Sequence, residues 1–178
     1  MDKEIERLAD LLQQRNSIDE QIGALIGRPA LPGHICEFIA SKVFGVGLSQ
    51  SASQAAIDGY FTDPPLAGKS ADIKFYPKHE GLLDVNRSTL PDFYLVLAGP
   101  RTAAMSSRGT TRPLVIESVF LFTARTLHEQ LRQRGVKIGI ATSVHRALWD
   151  AAEIYPRPNP ALTLTPGQRE ALALFAGR

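Results

Sequence analysis

Asp58, Asp72 and Lys74 are the residues of this chain whose types and spacing best suit chemistry. Asp72 and Lys74 lie two apart in SADIKFY (70–76), a run with the period of a strand, so both side chains leave one face. Asp58 lies in AIDGYFT (56–62), and the turn residues DPPLAGK between the two runs fold them into an antiparallel hairpin. That pairing brings Asp58 to the 72–74 end of its partner. Two carboxylates bind a hard cation such as Mg²⁺ or Mn²⁺ through oxygen. The cation lowers the pKa of a bound water and stabilises negative charge building on a phosphate. A lysine positions that water and screens the phosphate. Glu37, upstream on a helix, offers a further oxygen ligand or orients a water. The plainer reading is that Asp72 and Lys74 are solvated neighbours and Asp58 a turn residue before Gly59. Against it, Ile73 and Phe75 fill the opposite face, so this strand gathers its charges on one side.

The elements around these residues read as follows. Residues 2–27 form a helix in which Leu8, Leu11, Arg15, Ile18, Ile22 and Leu25 step by threes and fours, an a/d seam with one polar member. Asn16-Ser17 is a point where it could bend or fold into a hairpin. The seam either packs on the chain's own domain or pairs two copies through residues 8–25. GRPALPGH (27–34) is a sharp turn. HICEFIASKVFG (34–45) is a helix with Ile35, Phe38, Ile39, Val43 and Phe44 as its apolar stripe and Gly45 at its end. After the hairpin come two strands: FYLVLAG (93–99), apolar enough to be buried on both faces, and PLVIESVFLFT (113–123). ARTLHEQLRQRG (124–135) is a helix, VKIGIAT (136–142) a fifth strand, and VHRALWDAAEIY (144–155) a helix that Ser143 could cap and Pro156 stops. In the last helix Thr165 is the N-cap, Pro166 the first helical residue, and Gly177 follows the end. This order predicts an α/β or α+β domain over 28–178, with a mixed sheet of about five strands covered by helices, and a helical arm over 1–27.

The bulk properties exclude some classes. The 178 residues suit one domain, and a 44% hydrophobic content supports a core. The net charge of +2 is too small to indicate nucleic acid, so any basic surface must come from local clustering. One cysteine, Cys36, rules out an internal disulfide and fits a reducing, cytoplasmic setting. The charged N-terminus lacks a signal-peptide pattern, and the longest apolar run is broken by Glu117. Several motifs fail. Gly68-Lys69-Ser70 lacks the earlier glycine of a phosphate loop, since residue 63 is aspartate, and it leads into a strand. Gln50 stands where a dinucleotide fingerprint needs glycine. His34 and Cys36 have no second pair at zinc spacing.

Asp58, followed fourteen residues later by Asp72-Ile73-Lys74, resembles the PD-(D/E)XK nuclease superfamily over residues 34–142. Those proteins place an Asp on one strand and a D/E-x-K on the next, and many carry a Glu on the preceding helix, which Glu37 matches. The resemblance implies a restriction-endonuclease-like fold, with Asp58, Asp72 and Glu37 holding Mg²⁺ or Mn²⁺ and Lys74 completing a catalytic site that hydrolyses DNA phosphodiesters. Ile57 stands where proline is usual, Asp72 where glutamate is more usual, and the strand before Asp58 is short or missing. DNA contacts would come from Arg101, Arg108 and Arg112 in the acid-free loop 99–113, and from Lys69 and Lys78 along the hairpin. That loop equally fits a solvated connection. The competing function is a non-catalytic interaction or DNA-binding protein on the same fold, paired through its first helix.

Overall fold

The computed structural model describes residues 2–49, 57–101 and 112–177. Helix α1 (Lys3–Ile26) starts at Asp2, whose carboxylate accepts the Glu4 N–H at 2.8 Å, and ends at Gly27, in the left-handed region at φ 69°. It runs unbroken through Asn16-Ser17, so there is no hairpin. It buries no residue, which overturns packing of the seam on its own domain: Leu11 is 45% and Leu25 74% exposed.

Helix α2 (Pro32–Phe44) begins with proline at its first turn and buries Cys36, Ile39, Ala40, Val43 and Phe44. Strands β1 (Val46–Leu48), β2 (Gly59–Phe61) and β3 (Ser70–Tyr76) form an antiparallel meander. The strand before the Asp58 strand is therefore present and short. After β4 (Leu82–Leu83), β5 (Phe93–Ala98) pairs parallel with β3, from Ala71↔Phe93 to Tyr76↔Ala98. β6 (Ser118–Thr123) pairs antiparallel with β5. Then follow α3 (Ala124–Gln133), β7 (Thr142–Ser143), α4 (Arg146–Ala152), β8 (Glu153–Tyr155) and α5 (Pro166–Ala173). The fold is α+β, with a mixed six-stranded sheet in the order β1-β2-β3-β5-β6-β8 and a separate β4-β7 pair.

Strand alternation divides the core in two. Ala71, Ile73, Leu95, Leu97, Val119 and Leu121 face α2 and α5. Tyr94, Val96, Ala98, Phe120 and Phe122 face α3 and α4, where Trp149 fills the centre. Thr165 caps α5 through a capping box with Gln168, as its sequence predicts.

Three sequence expectations fail here. Residues 136–142 do not join the six-stranded sheet, and only Thr142 is a strand residue, in β7: β6 already lies between β5 and β8, Ala141 has φ 54°, and Ile140 is 92% exposed. The last sheet strand is instead β8, predicted as helix. Pro156 holds Tyr155 extended, and Ile154 gains complete burial against β6. The cap of α4 is His145, not Ser143: its Nδ1 accepts the Ala147 N–H at 3.2 Å.

Gly59, next to Asp58, lies against β1 so closely that a Cβ would sit 2.4 Å from the Gly47 carbonyl oxygen and 2.9 Å from Val46 Cγ1. Backbone must move to admit it. Gly59→Ala is expected to cost about 2 kcal/mol, read as a lower urea midpoint at unchanged m-value. An unchanged midpoint would show that β1 and β2 separate freely.

Candidate active site

The β2–β3 register places Asp58 directly across from Asp72, one step beyond Gly59↔Ala71. The Asp58 backbone N–H donates to the Ala71 carbonyl at 2.9 Å. Its side chain then takes over from the ladder: Oδ2 accepts the Ile73 N–H at 2.6 Å. One Asp58 oxygen is thus held by β3 itself, which locks the carboxylate at the strand end.

Asp72 is 2% exposed and points to the α3/α4 face of the sheet, with Tyr94 beside it on β5. Its Oδ1 receives the Lys74 ammonium at 2.7 Å, and its Oδ2 is buried without a hydrogen-bond partner. Burial pushes the Asp72 pKa up to about 6. The Lys74 charge opposes that rise, and the Asp58 carboxylate, which has no hydrogen to donate while ionised, adds to it by like charge. Two carboxylates so close repel unless a proton or a cation lies between them. The Lys74 side chain is 27% exposed against 3% for Asp72, so solvent reaches the pair past the lysine.

Glu37 is not brought to this pair. Its helix covers the Ala71/Ile73 side of the sheet, and its carboxylate is bound by Arg28. The strand period correctly puts Asp72 and Lys74 on one face, but the face that α2 covers is set by topology. His34 Nδ1 lies 2.9 Å from the Pro29 carbonyl oxygen and is likewise removed from the pair. Among the described residues, no three His, Cys, Asp or Glu side chains form a cluster able to hold a metal. The oxygen set here is the two aspartates.

The basic residues expected to grip nucleic acid are dispersed. Lys69 precedes β3 and pairs with Asp92 at 3.5 Å. Lys78 follows β3 at the other end of the strand, half-buried, and Arg101 follows β5 at that same end. Arg112 is exposed, and Arg108 lies outside the described residues.

Sequence reasoning missed Tyr94, fully buried with an unpartnered hydroxyl, whose pKa is pushed up to about 12 by burial and by Asp72. A tyrosine inside the apolar run FYLVLAG was the available signal. Tyr76 also belongs to the site: its Oη accepts the Asp84 N–H at 2.8 Å and ties the 84–92 segment to it.

The chain matches no family model and no curated protein sequence. Among the described residues, no helix is long and apolar enough to cross a membrane.

Proposed function

We propose that the chain is a metal-dependent nuclease that hydrolyses DNA phosphodiester bonds at Asp58, Asp72 and Lys74, in the manner of the PD-(D/E)XK proteins it resembles. One observation carries this reading: the buried, unpartnered Oδ2 of Asp72 beside a second carboxylate. A buried polar atom with no partner costs free energy, and a cation shared by the two aspartates would recover it. The donor set fits Mg²⁺ or Mn²⁺, because Mg²⁺ is commonly held by one or two carboxylates together with substrate phosphate oxygens. Bound there, the cation would supply Lewis-acid stabilisation of the phosphate and lower the pKa of a nucleophilic water.

The protein's own groups divide the remaining work. Asp58 is oriented by the Ile73 N–H, so its carboxylate does not rotate away from Asp72. Lys74 is anchored on Asp72 Oδ1 while its remaining ammonium hydrogens are free to donate to a water or a phosphate oxygen. Tyr94 and the apolar face behind it keep water away from the inner side of the pair.

Supercoiled plasmid incubated with the protein in Mg²⁺ or Mn²⁺ should be nicked, and EDTA should prevent it. Lys74→Met, which retains the stem and removes the charge, is expected to lower the rate by about a hundredfold or more. Nicking of equal rate in wild type and variant would place any activity elsewhere.

A second property rests on α1. Its exposed apolar seam supports a homodimer formed through residues 8–25.

A further inference from the structure

On the same sheet face as Asp72, helix α3, the residues that directly follow it and the distant segment around Arg87 enclose a cleft of about 280 Å³. It is lined by Arg87, His128, Arg132, Val136, Lys137 and Ile138. Three cations meet there with no Asp or Glu in the lining. None of the three has a salt bridge among the described residues. Like charges gathered without a counter-charge destabilise the fold, so the arrangement calls for an anion. Arg87 is fixed in place: its Nε donates to the Ile138 carbonyl, and its guanidinium packs beside Gly139. The free edge of the guanidinium can therefore meet a ligand with little loss of side-chain freedom.

The second observation is His128. It is 4% exposed, it lines this cleft, and neither ring nitrogen has a partner of hydrogen-bonding geometry. It also lines an adjoining cleft of about 430 Å³, which Arg125 and Arg132 share with the acids Asp92 and Glu129. The Asn86 backbone approaches both the His128 ring and the Tyr94 hydroxyl, and Tyr94 neighbours Asp72. Asn86 and the buried Tyr94 therefore pack between the cleft and the aspartate pair.

We infer that the Arg87–His128–Arg132–Lys137 cleft is a phosphate-binding site that holds the backbone of a DNA strand beside the Asp58–Asp72 pair. The inference rests on the nuclease reading for its ligand, and it adds residues that the arginine loop and the hairpin lysines do not include. Arg132 and Lys137 are exposed, so replacing them leaves the core intact.

The test is DNA binding in EDTA, where no cleavage occurs. Fluorescence anisotropy with a labelled oligonucleotide, single-stranded and duplex, would be titrated across salt concentrations. The R132Q/K137Q double variant is expected to bind about tenfold or more weakly, with a slope of log affinity against log salt smaller by about two. The D72N variant should bind DNA at least as tightly as wild type. Binding lost in the double variant would uphold the cleft even if plasmid nicking failed, so the two proposals fall separately. Unchanged affinity and slope in the double variant would overturn it, as would no DNA binding by any form. A third outcome also overturns it: inorganic phosphate shifts the His128 ring signals in NMR and DNA leaves them unmoved, which would make the cleft a small-anion site.

Discussion

Asp72→Asn is expected to raise the thermal stability of the metal-free protein while abolishing cation-dependent cleavage. The gain comes from removing a buried charge. Folding lifts the Asp72 pKa from 3.8 to about 6, so the native state holds this proton more tightly than the unfolded chain does. The sign follows directly: stability from this group is complete below about pH 4 and is lost as pH rises through about 6. Above that, ionised Asp72 costs about 3 kcal/mol, from two pKa units at 1.36 kcal/mol each. The Lys74 attraction is already contained in that net shift, so asparagine, neutral at every pH, removes the whole cost. The gain of about 3 kcal/mol corresponds to a Tm higher by about 6–12 °C at pH 8 in EDTA. Near pH 4 the two proteins should melt together. Magnesium should then reverse the order: bound at about a thousand times its Kd it stabilises wild type by about 4.1 kcal/mol and leaves the variant unaffected. A D72N protein less stable than wild type at pH 8 would show that Asp72 is a structural ion pair and not a strained site.

Ile18→Asp is expected to convert a dimer into a monomer with the domain still folded. The 24-residue α1 extends about 36 Å. It carries Leu8, Leu11, Ile18, Ile22 and Leu25 in heptad steps, with Ile5 and Leu12 on the flank, and none of them is buried. Among the described residues, contacts within one copy leave Leu8, Leu11, Ile18 and Leu25 exposed and Ile22 half-buried, whereas a second α1 would cover the stripe. Arg15 selects the orientation. In a parallel pair it would face its own copy across the seam, a like-charge contact. In an antiparallel pair, with Leu8 opposite Leu25, it lies across from Ile18 and near Asp19, the residue it already pairs with at 3.3 Å. Each Ile18 buried in the dimer is worth about 1.5–3 kcal/mol. Two copies lost therefore weaken association at least a hundredfold, visible by light scattering or sedimentation. Cross-linking reads the orientation, because the native Cys36 thiol is buried, its pKa pushed up to about 12, and stays silent. A mixture of L8C and L25C proteins should cross-link where neither does alone. Cross-linking of L8C by itself would make the pair parallel, and a monomeric wild type at high concentration would remove the dimer altogether.

The pairing of Asp58 with Asp72 and Lys74 was legible in the sequence because its causes are local. A period of two puts Asp72 and Lys74 on one face, and a short turn-forming segment between two strand runs sets which residues oppose each other. Thr165 as a cap and the course of α1 were legible for the same reason: caps and heptads are written within a few residues. What only the tertiary structure decided depends on contacts far apart in the chain. Glu37 has the right type and spacing, but the side of the sheet that α2 covers is set by the whole topology, and that side is the other one. The run 136–142 has the composition of a strand, but pairing needs a free edge, and the outer edge of β6 went to β8. Arg132 and Lys137 lie five residues apart at the end of α3 and just beyond it, but Arg87 comes from a distant segment and has no signal in sequence that links it to them. They meet because α3 and the 84–92 segment pack on one sheet face, where charges far apart in the chain become neighbours in a single cleft.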